Sequence, residues 1–232
     1  MSLSVLIWLP LAISVLVAVL PARFVRPAAA LGSLAPLGVA IDFMARFKSG
    51  QAGLQFVTDK VWIGALGIHY KLAINGLNIT LILLTAVLFT VSLLWSAGRD
   101  LERPRLYYFW FGMAESAVLG AFAAQDLILF VAFFDLMLIP FYFLVGQWGG
   151  PDRVRATIKL VIYTMAGSFL MLAAAIATGV IGAGSLGGPP ELHLLGPVAR
   201  PPVALLAGLA VPVLRGGLPG EDAARPLPRL AA

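Results

Sequence analysis

Three ionisable side chains lie inside long apolar runs, at Asp135, Glu115 and Lys159. Asp135 sits in LILFVAFFDLMLIPFYFLVGQ, about nine residues in, which is about 13 Å along a helix at 1.5 Å per residue. That depth is near the middle of a bilayer. An acid there costs about 2.5–3.5 kcal/mol on insertion scales, and residues kept at that cost mark proton or ion paths. A carboxyl poised between burial and a neighbouring cation can take up and release a proton. The plainer role is a protonated Asp bonded to the next helix. Pro140, five residues on, withholds a backbone N–H and bends the helix, a recurring device beside midplane polar sites. Glu115 lies about ten residues into LYYFWFGMAESAVLGAFAA, at similar depth on the preceding helix, where it serves either a shared wet cavity with Asp135 or helix contact. Lys159 lies one turn inside the next run. It either snorkels to the interface or relays protons. Tyr163, Thr164 and Ser168 add a polar stripe to that helix, suited to packing or a water path.

Other chemistry finds no purchase. With no Cys there is no disulfide, thiolate metal site or iron–sulfur ligation, and the two His residues, His69 and His193, are far apart. The G-A-G-S-L-G-G near residue 182 lacks the preceding strand and the acidic partner of a dinucleotide site.

The elements that must position these groups are membrane helices. The chain is 60% hydrophobic and 12% charged, with mean hydropathy +0.96. Soluble domains sit nearer 45–50% apolar and about 25% charged. Apolar runs of about 20 residues indicate an all-α, polytopic transmembrane helix bundle rather than a barrel. The net charge of +5 fits Lys and Arg in cytoplasmic loops, not nucleic-acid binding. The spans run from Ser2 to Leu20, Pro27 to Ala45, Leu77 to Trp95, Leu106 to Ala124, Leu127 to Gln147 and Arg155 to Ile181, about six in all. The first is a membrane helix rather than a signal peptide, because it has no basic n-region. The chain divides into two N-terminal helices (1–45), an extracytoplasmic loop (46–76), helices three to six (77–182) and a loop with an aberrant tail (183–232). Within the first loop, VWIGALGIHYKLAI alternates like a hairpin. LYYFWF is an interfacial aromatic belt, and Gly149–Gly150 ends the fifth span. Arg23, Arg26, Arg99, Arg103, Arg105, Arg153 and Arg155 all fall in turns on one side, which places the N-terminus outside.

AINGLNITLILLTAVLF, GMAESAVLGAFAAQDLILFVAFFDLMLIPFYFLVGQWGG and RVRATIKLVIYTMAGS together resemble subunit M of bacterial NADH-quinone oxidoreductase, the antiporter-like membrane subunit of respiratory complex I. The likeness spans most of residues 60–180. It implies the first part of a fourteen-helix fold built on inverted repeats. It implies a multi-pass protein of the bacterial inner membrane that couples electron transfer from NADH to quinone to proton translocation. It places FMN, iron–sulfur clusters, NADH and quinone on other subunits, leaving no cofactor and no redox chemistry here. Its partners would be the lipid bilayer and neighbouring membrane subunits. On the match, Asp135 is the gating carboxylate, usually Glu in the family, and Lys159 matches a family lysine. Asn75 stands where the family pattern has Asp.

The tail departs. Where the family continues into a seventh helix carrying the lysine partner of the carboxylate, this chain reads LLAGLAVPVLRGGLPGEDAARPLPRLAA. Its Gly220–Arg225 codons, shifted by one base, can read Val-Lys-Thr-Pro-Leu, the family's residues there. The expectation is a frameshifted or truncated gene, with the change between Leu209 and Gly220 and a proton path incomplete in this copy. Two other functions fit the residues: a subunit of a multisubunit cation/proton antiporter or membrane-bound hydrogenase, and a non-functional fragment.

Overall fold

The computed structural model describes residues 2–48, 53–63 and 68–186. These fall in one compact unit, Met1–Leu194; Leu195–Ala232 is a second unit and lies outside them. The apolar run from Val203, His193 and the divergent tail are therefore outside the described residues.

Six helices and one hairpin follow in the order α1 (Leu3–Val19), α2 (Ala22–Arg46), β1 (Gln55–Ile63), β2 (Ile68–Ile74), α3 (Gly76–Ala97), α4 (Pro104–Ala123), α5 (Leu127–Trp148) and α6 (Arg153–Leu186). The expected bundle is present, with two boundaries moved by five residues: α2 starts earlier, and α6 runs on to Leu186 rather than ending at Ile181. The second helix begins at Ala22, not Pro27; Pro27 is its sixth residue and, having no N–H, gives no helix bond to the Arg23 carbonyl. Arg23 and Arg26 thus belong to the start of α2 rather than to a loop. The hairpin is antiparallel and starts earlier than the alternation suggested, with Thr58 opposite Leu72 and Lys60 opposite Tyr70.

Four helices, α2, α3, α5 and α6, are long and apolar enough to cross a membrane. The α1 helix is shorter, at 17 residues. The α4 helix is less apolar because Tyr, Trp and Glu115 interrupt it, yet it is the most enclosed, packed by α1, α3 and α5. Two apolar clusters hold the bundle. One lies at the hairpin end, where Leu3, Leu6, Phe43, Leu72, Ile79 and Leu119 meet. The other lies at the opposite end, around Val17, Val25, Leu93 and Tyr108. Small residues bring helices close: a Cβ on Gly112 would meet Ser14 and come within 2.8 Å of the Pro10 carbonyl oxygen of α1.

The hairpin grips the α4–α5 corner. Gln125 donates its backbone N–H to Lys71 O at 2.9 Å, and the Gln125 amide donates to Ala73 O. The Asn78 amide donates to Ala73 O and Phe122 O at 3.0 and 3.1 Å. Asn75 caps α3 by accepting from Leu77 and Asn78 N–H, while the Asn78 side chain accepts from Asn75 N–H. An Asn cap does what an Asp cap would do, so the departure at Asn75 leaves α3 intact. Asn75→Ala is expected to lower unfolding stability by about 1 kcal/mol, and Asn75→Asp by less, in a denaturation midpoint measured in detergent.

Basic residues gather at the other end. Arg26 pairs with Asp100 at 2.8 Å, tying the start of α2 to the α3–α4 turn. The Trp148 indole donates to Glu102 O at 2.8 Å, tying the end of α5 to that same turn.

Candidate functional site: two separate acids in the bundle

Asp135 is the ninth residue of the 22-residue α5, so it stands near mid-length. It is exposed on this chain, in a groove between α5 and α6 of about 380 Å³. Leu138, Ile139, Tyr142 and Phe143 of α5 and Val161, Met165 and Phe169 of α6 wall the groove. Its polar members besides the Tyr142 hydroxyl are the Asp135 carboxylate and the Ser168 hydroxyl, which donates to Asp135 Oδ1. A hydroxyl can give and take a proton in one hydrogen-bonding geometry, so this pair can pass one along the groove. Pro140 lies in α5 one turn beyond Asp135, where it removes a backbone bond beside the groove.

Glu115 does not share that groove. It is 2% exposed and faces away from Asp135, into a void among α1, α2, α3 and α4. The Glu115 void takes no lining residue from α5 or α6, and the Asp135 groove takes none from α4; the two helices themselves meet through the Trp110–Phe143 stack, at 4.2 Å between centroids, and Phe133 against Gly120. A shared wet cavity between Asp135 and Glu115 is therefore not formed within this unit. Helix rotation, which equal depth does not determine, decides this.

Lys159 is exposed, seven residues into α6. It is not among the residues lining the groove and makes no ion pair with a described residue. Nine residues separate it from Ser168, about 13 Å along α6. The structure brings Asp135 and Ser168 together and leaves Lys159 and Glu115 elsewhere. Thr164 donates to its own helix at Leu160 O, and Tyr163 is exposed, so of the polar stripe only Ser168 reaches Asp135. Among the described residues no group of His, Cys, Asp and Glu could hold a metal ion.

Two residues carry more than their sequence context suggested. Tyr108, within the aromatic start of α4, lines the Glu115 void. The signal for it is the seven-residue spacing from Glu115, two turns on one helix face. Asp126, in the tight α4–α5 turn, is 0% exposed. Its Oδ1 accepts from Ile128 and Leu129 N–H, and its Oδ2 accepts from His69 N–H of β2.

Residues 124–183, spanning α5 and most of α6, match the family model described as NADH:quinone oxidoreductase/Mrp antiporter, TM. NADH-quinone oxidoreductase subunit M of Rhodobacter capsulatus is 36% identical over 182 residues, which is 75% of this chain and 35% of that protein. The chain is similar to the antiporter-like subunits of complex I. Respiratory complex I from Thermus thermophilus with bound NADH superposes on it with a TM-score of 0.68. That match is at 25% identity, over 82% of this chain and 38% of the other. The Mrp complex from Dietzia sp. gives a TM-score of 0.69 at 20% identity over 90% of this chain and 22% of the other, a likeness of fold. The chain spans about a third of the length of the curated relatives it matches. Both solved structures are multisubunit membrane assemblies, and the antiporter-like subunit described here is a multi-pass membrane protein of the same kind.

Proposed function

We propose that this chain is a proton-translocating antiporter-like membrane subunit of an NADH-quinone oxidoreductase, with Asp135 as its main proton-transfer group. The carrying observation is Asp135 at mid-depth of α5, in a groove and held by Ser168 of α6. A carboxylate kept at that depth is a functional-site hypothesis by default. Glu115 and Lys159 serve as further proton-handling groups on their own faces of the bundle, not as direct partners of Asp135. The redox groups belong to the rest of the assembly, and this chain holds no cofactor. The bilayer and neighbouring membrane subunits are its partners, and nucleic acid is not.

The orientation follows from charge. The ties from Arg26 to Asp100 and from Trp148 to Glu102 gather the arginine-bearing turns at one end. Arginines in short turns favour the cytoplasmic side, so the hairpin and the N-terminus face outward across a bacterial inner membrane. The family description pairs NADH:quinone oxidoreductase with Mrp antiporters, which supports a second reading as a cation/proton antiporter subunit.

Inverted vesicles from a host lacking its own subunit M separate these readings. A subunit of the relatives' full length that carries these residues, supplied with the remaining subunits, is expected to restore NADH-driven acidification. Sodium-driven proton exchange without NADH would favour the second reading. No restoration of either, with the chain present in the membrane, would refute both.

A further inference from the structure

We propose that the void among α1, α2, α3 and α4 is an internal water site bound by the Glu115 carboxyl and the Tyr108 hydroxyl, closed off from the Asp135 groove.

Glu115 Oε1 and Tyr108 Oη are the two side-chain polar atoms, among the described residues, that are buried without a hydrogen-bond partner in the protein. Both residues are 2% exposed, and both line the same void. Two orphaned polar atoms at opposite ends of a long chain could be unrelated. Two in one small cavity, on one face of one helix, have a common remedy. The void is about 20 Å³, enough for one water by the measure of about 10–15 Å³ that a water needs.

Its wall has the mixed character that keeps a cavity wet. Purely apolar voids stay dry, whereas internal waters sit where two to four polar partners converge. Here Ser14 and Ser33 join the lining, their hydroxyls donating to Leu11 O and Ala30 O and keeping free lone pairs. Pro10 and Pro36 also line it. Pro36 has no N–H to give the Gly32 carbonyl one turn earlier, and Gly32 is itself in the wall. In membrane helices such freed carbonyls are re-satisfied by hydroxyls and ordered water. In α1, beside Pro10, a hydroxyl serves a backbone donor instead: Leu11 N–H donates to Ser116 Oγ of α4 at 2.9 Å.

The position gives the site a direction. Glu115 lies between the two apolar clusters of the bundle, and Tyr108 belongs to the cluster at the arginine-rich end. The void and the Asp135 groove have no lining residue in common. Water here hydrates Glu115 from within the N-terminal helices, without passing Asp135. None of these observations draws on the role proposed for Asp135.

Radiolytic hydroxyl labelling tests this, because bound water produces the radical in place and marks its neighbours even when they are buried. The probe is water itself, and the sample is the full chain in its membrane assembly in nanodiscs. Phe43 is the reference, being 2% exposed in the apolar hairpin-end cluster. Tyr108 is expected to be oxidised several-fold more than Phe43. Glu115→Leu is expected to bring Tyr108 down to the Phe43 level, Glu115→Gln to preserve its labelling, and Asp135→Asn to leave it unchanged. Equal labelling of Tyr108 and Phe43 in the unmodified chain would overturn the proposal, and that comparison needs no variant to fold. Labelling that survives Glu115→Leu would remove Glu115 from the site, and loss of labelling in Asp135→Asn would refute the separation.

Discussion

Asp135→Asn is expected to cut NADH-driven proton uptake about tenfold or more in vesicles containing the assembled complex, since a positioned proton-transfer group contributes about 10²–10⁴-fold. Asn matches Asp in shape and still accepts from Ser168, so the groove keeps its hydrogen bond while losing its proton carrier. The two effects are thereby separated. Ser168→Ala makes the complementary test: it removes one hydrogen bond worth about 1 kcal/mol and keeps the acid, so a loss of roughly fivefold is expected. Asp135→Glu, one methylene longer and the residue usual in the family, is expected to keep most of the activity. Subunit content by immunoblot and NADH oxidation with an artificial acceptor report assembly independently of pumping. Proton uptake unchanged in Asp135→Asn, at equal subunit content, would end its assignment as the proton-transfer group.

The second large effect lies on stability. Asp126 is fully buried and bonds three backbone N–H groups, two at the start of α5 and one from β2. Asp126→Ala removes an N-cap, worth about 1 kcal/mol. It also removes the carboxylate oxygen to which the His69 N–H donates, a charge-assisted bond worth about 1.5–3 kcal/mol. A total loss of about 2–4 kcal/mol is therefore expected in the unfolding midpoint in detergent. Asp126→Asn keeps one side-chain oxygen and is expected to lose about half as much. An Asp126→Ala chain as stable as the original would show that the hairpin is held by its other contacts, the Gln125 and Asn78 bonds and the packing of Leu72 and Ile74.

These two aspartates mark different degrees of legibility. Asp135 stands out in the sequence because an acid among Phe, Leu and Ile has no cheap explanation. Asp126 reads as a turn residue, and the turn is there, but its hold on β2 joins residues 57 positions apart. Similarly, the alternation in VWIGALGIHYKLAI was enough to expect a hairpin, while the corner it clamps was not. Lys159 shows a different limit. Its place one turn into a helix left an interfacial anchor and a relay both open, and the helix face carrying Lys159 is not the face carrying Ser168.

The residues by themselves determined the class of protein, the number and order of helices, the depth of each ionisable group and the family. All of these depend on distance along the chain, which hydropathy and the fixed rise of a helix convert directly into position. Only the tertiary structure decided what each group faces. It set Ser168 against Asp135, gave Glu115 and Tyr108 a void of their own, and left the void and the groove without a shared lining residue. Facing depends on how each helix is rotated against its neighbours, and that rotation is fixed by contacts such as Gly112 on Ser14 and Gly120 under Phe133, which no local pattern encodes.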